Sequence, residues 1–252
     1  MERHDASPAA SVLATGVAPE GPLLDVQGLS AGYGRRIVVS DVSLHVGRGE
    51  IVAVFGHNGA GKTTTLRAVF GFQQPRSGTV SFKGQDITNM PCAQKVALGI
   101  TFVPAEQFVF PDMSVLDNLR LGWHGGGGTM AERLAAVHQT FPVLDARKAQ
   151  LAGTMSGGQQ RMLSIGIALM AAPELVLLDE PSLGLAPAMV QNVHNALREL
   201  ADRYSVSIVL LEQNVNQALQ IADRAYVMRS GRIILEESAE QMLQRGHWWD
   251  LF

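Results

Sequence analysis

The stretch IVAVFGHNGAGKTTTLRAVF (51–70) changes character twice. Its first five residues are an unbroken apolar run, the pattern of a strand buried on both faces. The next eight, GHNGAGKT (56–63), fit G-x-x-x-x-G-K-[ST] at Gly56, Gly61, Lys62 and Thr63. From Lys62 onward, Leu66, Val69 and Phe70 fall on one face of a helix. A glycine-rich loop between a buried strand and a helix turns backbone N–H groups toward one point, and the helix N-terminus adds partial positive charge. Such a loop cradles phosphates. Gly56, His57, Asn58, Gly59, Ala60 and Gly61 form its rim, and Thr64 is grouped with its nucleotide contacts. Lys62 reaches for the β- and γ-phosphates, and the Thr63 hydroxyl faces Mg²⁺.

Working outward, LVLLDE (175–180) supplies the second half of such a site. Four apolar residues bury the strand and leave Asp179 and Glu180 at its end. Asp179 is expected to hold Mg²⁺, directly or through water, and Glu180 to orient or deprotonate the attacking water. SIVLLEQ (207–213) repeats the pattern and ends in Gln213, while RAYVMRSGRII (224–234) also reads as strand. PAMVQNVHNALRELADRY (187–204) is a helical segment between the first two. Strands alternating with helices predict a mainly parallel sheet, with ligands beyond the carboxyl ends of its strands. LLDVQGLSAGYG (23–34), VVSDVSLHVGRGE (38–50) and GTVSFKGQDI (78–87) instead alternate apolar and polar residues, as half-buried antiparallel strands do. From about Met90 to Ile165 the pattern is mainly helical. Gly125 to Gly128 reads as a flexible connector there, and the lack of a preceding strand argues against a second phosphate loop.

Composition narrows the function classes. Hydrophobic residues make up 46% of the 252 and charged residues 17%, which is a globular balance. A formal net charge of −3 gives no basic field for nucleic acid. Cys92 is the only cysteine, so an intrachain disulfide and a cysteine-based zinc site are both excluded, consistent with a reducing compartment. The most apolar stretch, Leu163 to Leu178, is broken by Pro173 and Glu174 and is too short to span a membrane. Residues 1–22 read as a mobile tail, without the basic start and apolar core of a secretory signal. Residues 244–252 read as a C-terminal tail whose HWWDLF end packs on the chain's own surface or joins an interface.

MSGGQQRMLSIGIALM (155–170) resembles the signature motif of ABC ATPases, with Ser156, Gly157, Gly158 and Gln159 in place. The resemblance covers residues 23–243 as one ABC ATPase domain. It implies an α/β P-loop NTPase fold with a mainly parallel RecA-like core sheet. An N-terminal antiparallel β subdomain and a helical subdomain at about 90–165 complete it. In this family the signature contacts the γ-phosphate held by the opposite subunit, so two chains sandwich two ATP. Tyr33 looks like the aromatic residue that stacks on adenine, and PSLGLAP (181–187) like the segment that crosses the dimer interface.

Two positions depart from the family pattern. In ITFVPAEQFVFPDMSVLDNL (100–119) the residue aligned with the usual coupling-loop Gln is Ala105. Glu106 and Gln107 follow, so either Gln107 reaches in through a shifted loop or the role is vacant or filled by water. The second is Gln213, where most of the family has a His that hydrogen-bonds the γ-phosphate. Together with EPSLGLAP, LLEQNVNQALQIADRAYV and SGRI, it resembles the ATPase subunits of branched-chain (hydrophobic) amino-acid importers and related urea and amide importers. That resemblance implies an ATPase using ATP and Mg²⁺, peripheral on the cytoplasmic face of the plasma (inner) membrane. It also implies a second ABC ATPase subunit, multi-span permease subunits and an extracytoplasmic solute-binding protein, with no nucleic acid. The rivals are a soluble ABC ATPase acting on DNA or ribosomes, and an exporter ATPase subunit. The first usually carries a long coiled coil or a second fused domain, and neither pattern occurs here.

Overall fold

Residues 21–106 and 108–245 are described by the structure, a computed structural model. Most of both terminal tails and Gln107 lie outside the described residues. The alternating segments form the first sheet. Strands β1 (Leu24–Tyr33), β2 (Arg36–Val46), β4 (Ser77–Phe82) and β5 (Gln85–Asp86) pair antiparallel in the order β2-β1-β4-β5. One face carries Leu24, Val26, Leu29, Val42, Leu44, Val80 and Phe82, all buried.

The unbroken apolar runs form the centre of the second sheet, in the order β10-β9-β3-β8-β7-β6. Its strands are β3 (Ile51–Phe55), β6 (Ile100–Val103), β7 (Leu175–Asp179), β8 (Ser207–Leu211), β9 (Arg224–Arg229) and β10 (Arg232–Ser238). All neighbours are parallel except the β9–β10 hairpin at one edge. Strands β3, β7 and β8 are buried at every residue, because each feeds two apolar layers. Ile51, Ala53 and Phe55 pack into one cluster, together with Leu178, Leu210 and the helices. Val52 and Val54 pack into the other, with Leu177, Val209, Leu66 and the antiparallel sheet. Each fully withdrawn Val, Leu or Ile side chain contributes about 1.5–3 kcal/mol.

Helix α1 (Lys62–Phe70) lies between the two sheets, its Leu66, Val69 and Phe70 buried as their spacing predicts. The region from 90 to 165 holds α2 (Cys92–Ala97), α3 (Val115–Leu121), α4 (Met130–Thr140), α5 (Pro142–Ala146) and most of α6 (Gly157–Met170). Strand β6 falls within it but belongs to the core sheet. The Gly125–Gly128 connector joins α3 to α4. Helix α7 (Pro187–Tyr204) links β7 to β8, and α8 (Val215–Leu219) and α9 (Ala239–Gln244) complete the described chain. No helix of the described residues is long and apolar enough to cross a membrane.

Candidate nucleotide site

The carboxyl ends of β3, β7 and β8 are neighbours because the sheet places these strands side by side. Beyond β3, Gly61 has φ 107°, a conformation that favours glycine, and a Cβ there would sit 2.6 Å from Val39 Cγ1. The loop therefore needs glycine at this position to turn into α1. No side chain caps the N-terminus of α1, and its first turn holds no acidic residue. Its first N–H groups are thus left open for an anion. Lys62 is buried, and its Nζ donates to Gly56 O at 2.7 Å and His57 O at 3.4 Å. Burial pulls its pKa below the ordinary lysine value, while Glu180 and Asp179 oppose that shift.

Thr63 Oγ1 donates to Asp179 Oδ1 at 3.1 Å, joining the loop to the end of β7. Burial raises the Asp179 pKa above the usual carboxylate value, with the Thr63 hydrogen bond opposing it. Two hard oxygen donors side by side, next to a phosphate cradle, suit Mg²⁺, which takes one or two protein oxygens and completes its shell with phosphate and water. Glu180 follows in a left-handed conformation, φ 47°, uncommon for a residue with a side chain. Its N–H pairs with Leu211 O at 3.0 Å. The turn brings Glu180 Oε1 to 3.7 Å from Lys62 Nζ and Oε2 to 2.8 Å from Gln213 Nε2. Gln213 Nε2 also donates to Asn58 Oδ1 at 3.2 Å. Asn58, Lys62, Thr63, Asp179, Glu180 and Gln213 thus form one connected constellation. His57 and Gly59 are exposed on the loop, while Ala60 and Thr64 are buried.

The remaining expected site residues lie apart from this constellation. Tyr33 ends β1, about half exposed, and lines a cavity of 370 Å³ with Arg67, Phe72, Gln73, Phe102, Pro104 and Phe108. Ser156 caps α6: its Oγ accepts from Gln159 N, and Gln159 Oε1 accepts from Ser156 N. Among the described residues the Ser156 hydroxyl has no acceptor, so its proton is available to donate outward. Gly157 is exposed and Gly158 packs under Met189, where a Cβ would lie 2.8 Å from its Cε. Among the described residues, no hydrogen bond or ion pair joins Ser156–Gln159 to Lys62, Thr63, Asp179, Glu180 or Gln213. Glu106 is exposed, and Gln107 lies outside the described residues.

Two buried residues were not picked out from the sequence. Arg161, on α6, donates to Pro104 O (2.5 Å), Ala105 O (3.3 Å), Asp179 O (2.7 Å) and Pro181 O (3.1 Å). One guanidinium thus ties the signature helix to the loop after β6 and to both sides of Glu180. Glu212, at the end of β8, accepts from Ser182 and from the Gln213 backbone. Their signal in the sequence is weak: each is a charged residue at the edge of an apolar run, beside polar neighbours.

This fold and constellation define a P-loop nucleotide-hydrolysing protein. Residues 39–183 match the ABC transporter family. The chain is 41% identical to the high-affinity branched-chain amino acid transport ATP-binding protein BraG of Pseudomonas aeruginosa, covering 88% of this chain and 95% of that one. It is 35% identical to the probable branched-chain amino acid transport ATP-binding protein LivF of Archaeoglobus fulgidus, covering 86% and 92%. The ADP conformation of MJ1267, an ATP-binding cassette of an ABC transporter, superposes with a TM-score of 0.82 at 26% identity, covering 92% and 98%. The chain belongs to the ABC transporter family, as an ATP-binding subunit that hydrolyses ATP.

Proposed function

We propose that this subunit powers an importer for branched-chain amino acids or related small solutes such as urea and amides. It acts from the cytoplasmic face of the plasma (inner) membrane, paired with a second ATPase subunit and bound to multi-span permease subunits. An extracytoplasmic solute-binding protein delivers the solute. The relatives named above support the solute class, and Gln213, two residues beyond β8, is the residue of this chain on which the resemblance to that subfamily rests.

The carrying observation for the chemistry is Glu180, turned by its left-handed backbone between Lys62 and Gln213. In this reading the open N-terminus of α1 and Lys62 hold the β- and γ-phosphates, and Tyr33 stacks on adenine. Thr63 and Asp179 would hold Mg²⁺, and a bound Mg²⁺ would supply positive charge beside the phosphates. Glu180 takes the proton of the attacking water, and Gln213 holds Glu180 and donates to the γ-phosphate. Ser156 of one subunit closes over the nucleotide of the other.

Proteoliposomes carrying the assembled complex test this directly. Labelled leucine should enter only with ATP on the ATPase side, and Glu180→Gln should cut ATP turnover by about 10²–10⁴-fold while nucleotide still binds. ATP-independent leucine entry, or full turnover by the variant, would refute the reading.

A further inference from the structure

Glu212 is 2% exposed, yet it carries a carboxyl group directly behind the reacting residues. Its oxygens accept from Ser182 Oγ at 2.7 Å, Ser182 N at 3.1 Å and Gln213 N at 3.2 Å. Ser182 lies two residues beyond Glu180, on the tight turn in which Leu183 N donates to Glu180 O at 3.1 Å and Leu185 N to Ser182 O at 3.1 Å. A single side chain therefore fastens the segment that carries Glu180 to the backbone that carries Gln213. From α7, the buried His194 brings Nε2 to 4.0 Å from Glu212 Oε1, and this nitrogen has no hydrogen-bond partner among the described residues. Glu180, Ser182, Gly184, Glu212, Gln213 and Asn214 line a cavity of 270 Å³ beside this junction. The segment therefore has room to swing away from Gln213 if the Glu212 bonds are lost.

We infer that Glu212 is a positioning residue for hydrolysis, holding the Ser182 turn against Gln213 so that Glu180 and Gln213 stay in contact. The inference rests on the proposed role of Glu180. Glu212 touches neither nucleotide nor water in this account; it acts through the two residues that do. Three hydrogen bonds to one buried carboxyl make a stiff joint, because each lost partner leaves a polar group without water to replace it.

Steady-state ATPase kinetics on the assembled complex, with nucleotide affinity measured separately, test it. Glu212→Ala should lower kcat by about tenfold or more and leave ATP affinity within about twofold. Glu212→Gln retains one acceptor oxygen and an amide that can donate to Ser182 Oγ, so it should recover part of the loss. Ser182→Ala should lower kcat less than Glu212→Ala, and the double variant should be no worse than Glu212→Ala alone, the coupling expected of partners in one network. Where Glu212→Ala does not fold, Glu212→Gln and Ser182→Ala decide. Wild-type kcat in both of these, or in Glu212→Ala, would overturn the inference if Glu180→Gln is inactive. Full turnover by Glu180→Gln would overturn the reading of Glu180 instead. An equal loss of affinity and kcat in Glu212→Ala would also overturn it, since that marks a general structural defect.

Discussion

Gln213 spends both amide protons on its neighbours in the site, one on Glu180 and one on Asn58. Nucleotide entry must redirect at least one of them for Gln213 to donate to the γ-phosphate. A hydrogen bond to a charged group contributes about 1.5–3 kcal/mol, more than a neutral one, so giving up the neutral Asn58 acceptor favours the phosphate while the bond to the Glu180 carboxylate is kept. Gln213→Ala should therefore lower kcat by about tenfold or more, read in single-turnover experiments. Gln213→His should restore turnover and add an inflection near the ordinary histidine pKa of about 6.5, which the native side chain lacks. A flat pH profile in the histidine variant would show that position 213 does not contact the reacting phosphate. At this scale the sequence is a good guide for Lys62, Thr63 and Asp179, because their chemistry fixes their spacing within a motif. It is a poor guide for Glu180's left-handed turn, since glutamate gives no local sign of positive φ.

Elements are held to one another here by buried charges that donate to backbone carbonyls. Arg161 joins α6 to the ends of β6 and β7, across sequence separations of 18 to 57 residues. Lys95 on α2, fully buried, donates to Val69 O at 2.7 Å in the last turn of α1. A cation suits that helix end, but burial pulls the Lys95 pKa down to about 8. Its folded value thus lies below its unfolded one of 10.5. Between these values the unfolded chain binds more protons than the folded chain, so stability rises with pH through that window and the cost of the buried charge is full below about 8. Lys95→Met lacks this group. The wild type should gain thermal stability relative to Lys95→Met between about pH 7 and pH 10, measured by melting temperature at each pH. Parallel pH profiles for the two proteins would contradict this. Most strands and the longer helices were legible, since β3, β7 and β8 read as unbroken apolar runs and β1, β2 and β4 alternate, whereas β6 lay inside a mainly helical reading and the short α8 and α9 had no reading. The ties between them were not, because a carbonyl acceptor belongs to every residue and leaves no mark on the chain.

Across the whole molecule, the phosphate loop and the signature occupy different layers. The loop leads into α1 between the sheets, whereas Ser156 opens α6 on the helical side. Ser156 and Gly157 are exposed, and the Ser156 hydroxyl has its proton to give. A signature that makes no bond to its own chain's Lys62 or Glu180 but is capped and solvent-facing is suited to a second subunit. On the proposed reading, a two-fold dimer would place each nucleotide between the loop of one copy and the signature of the other. Glu180→Gln disables the first half of a site, and Ser156→Arg, by blocking the helix start, disables the second. Each variant alone should bind ATP and fail to turn it over. In an equimolar mixture half of the dimers are mixed, and each mixed dimer regains one intact site, so ATPase activity should return to about a quarter of wild type. Recovery of that size shows sites assembled between copies of this chain. Lack of recovery, with both variants folded and binding ATP, would show that copies of this chain do not complete one another's sites and that the signature which completes them comes from a different ATPase subunit.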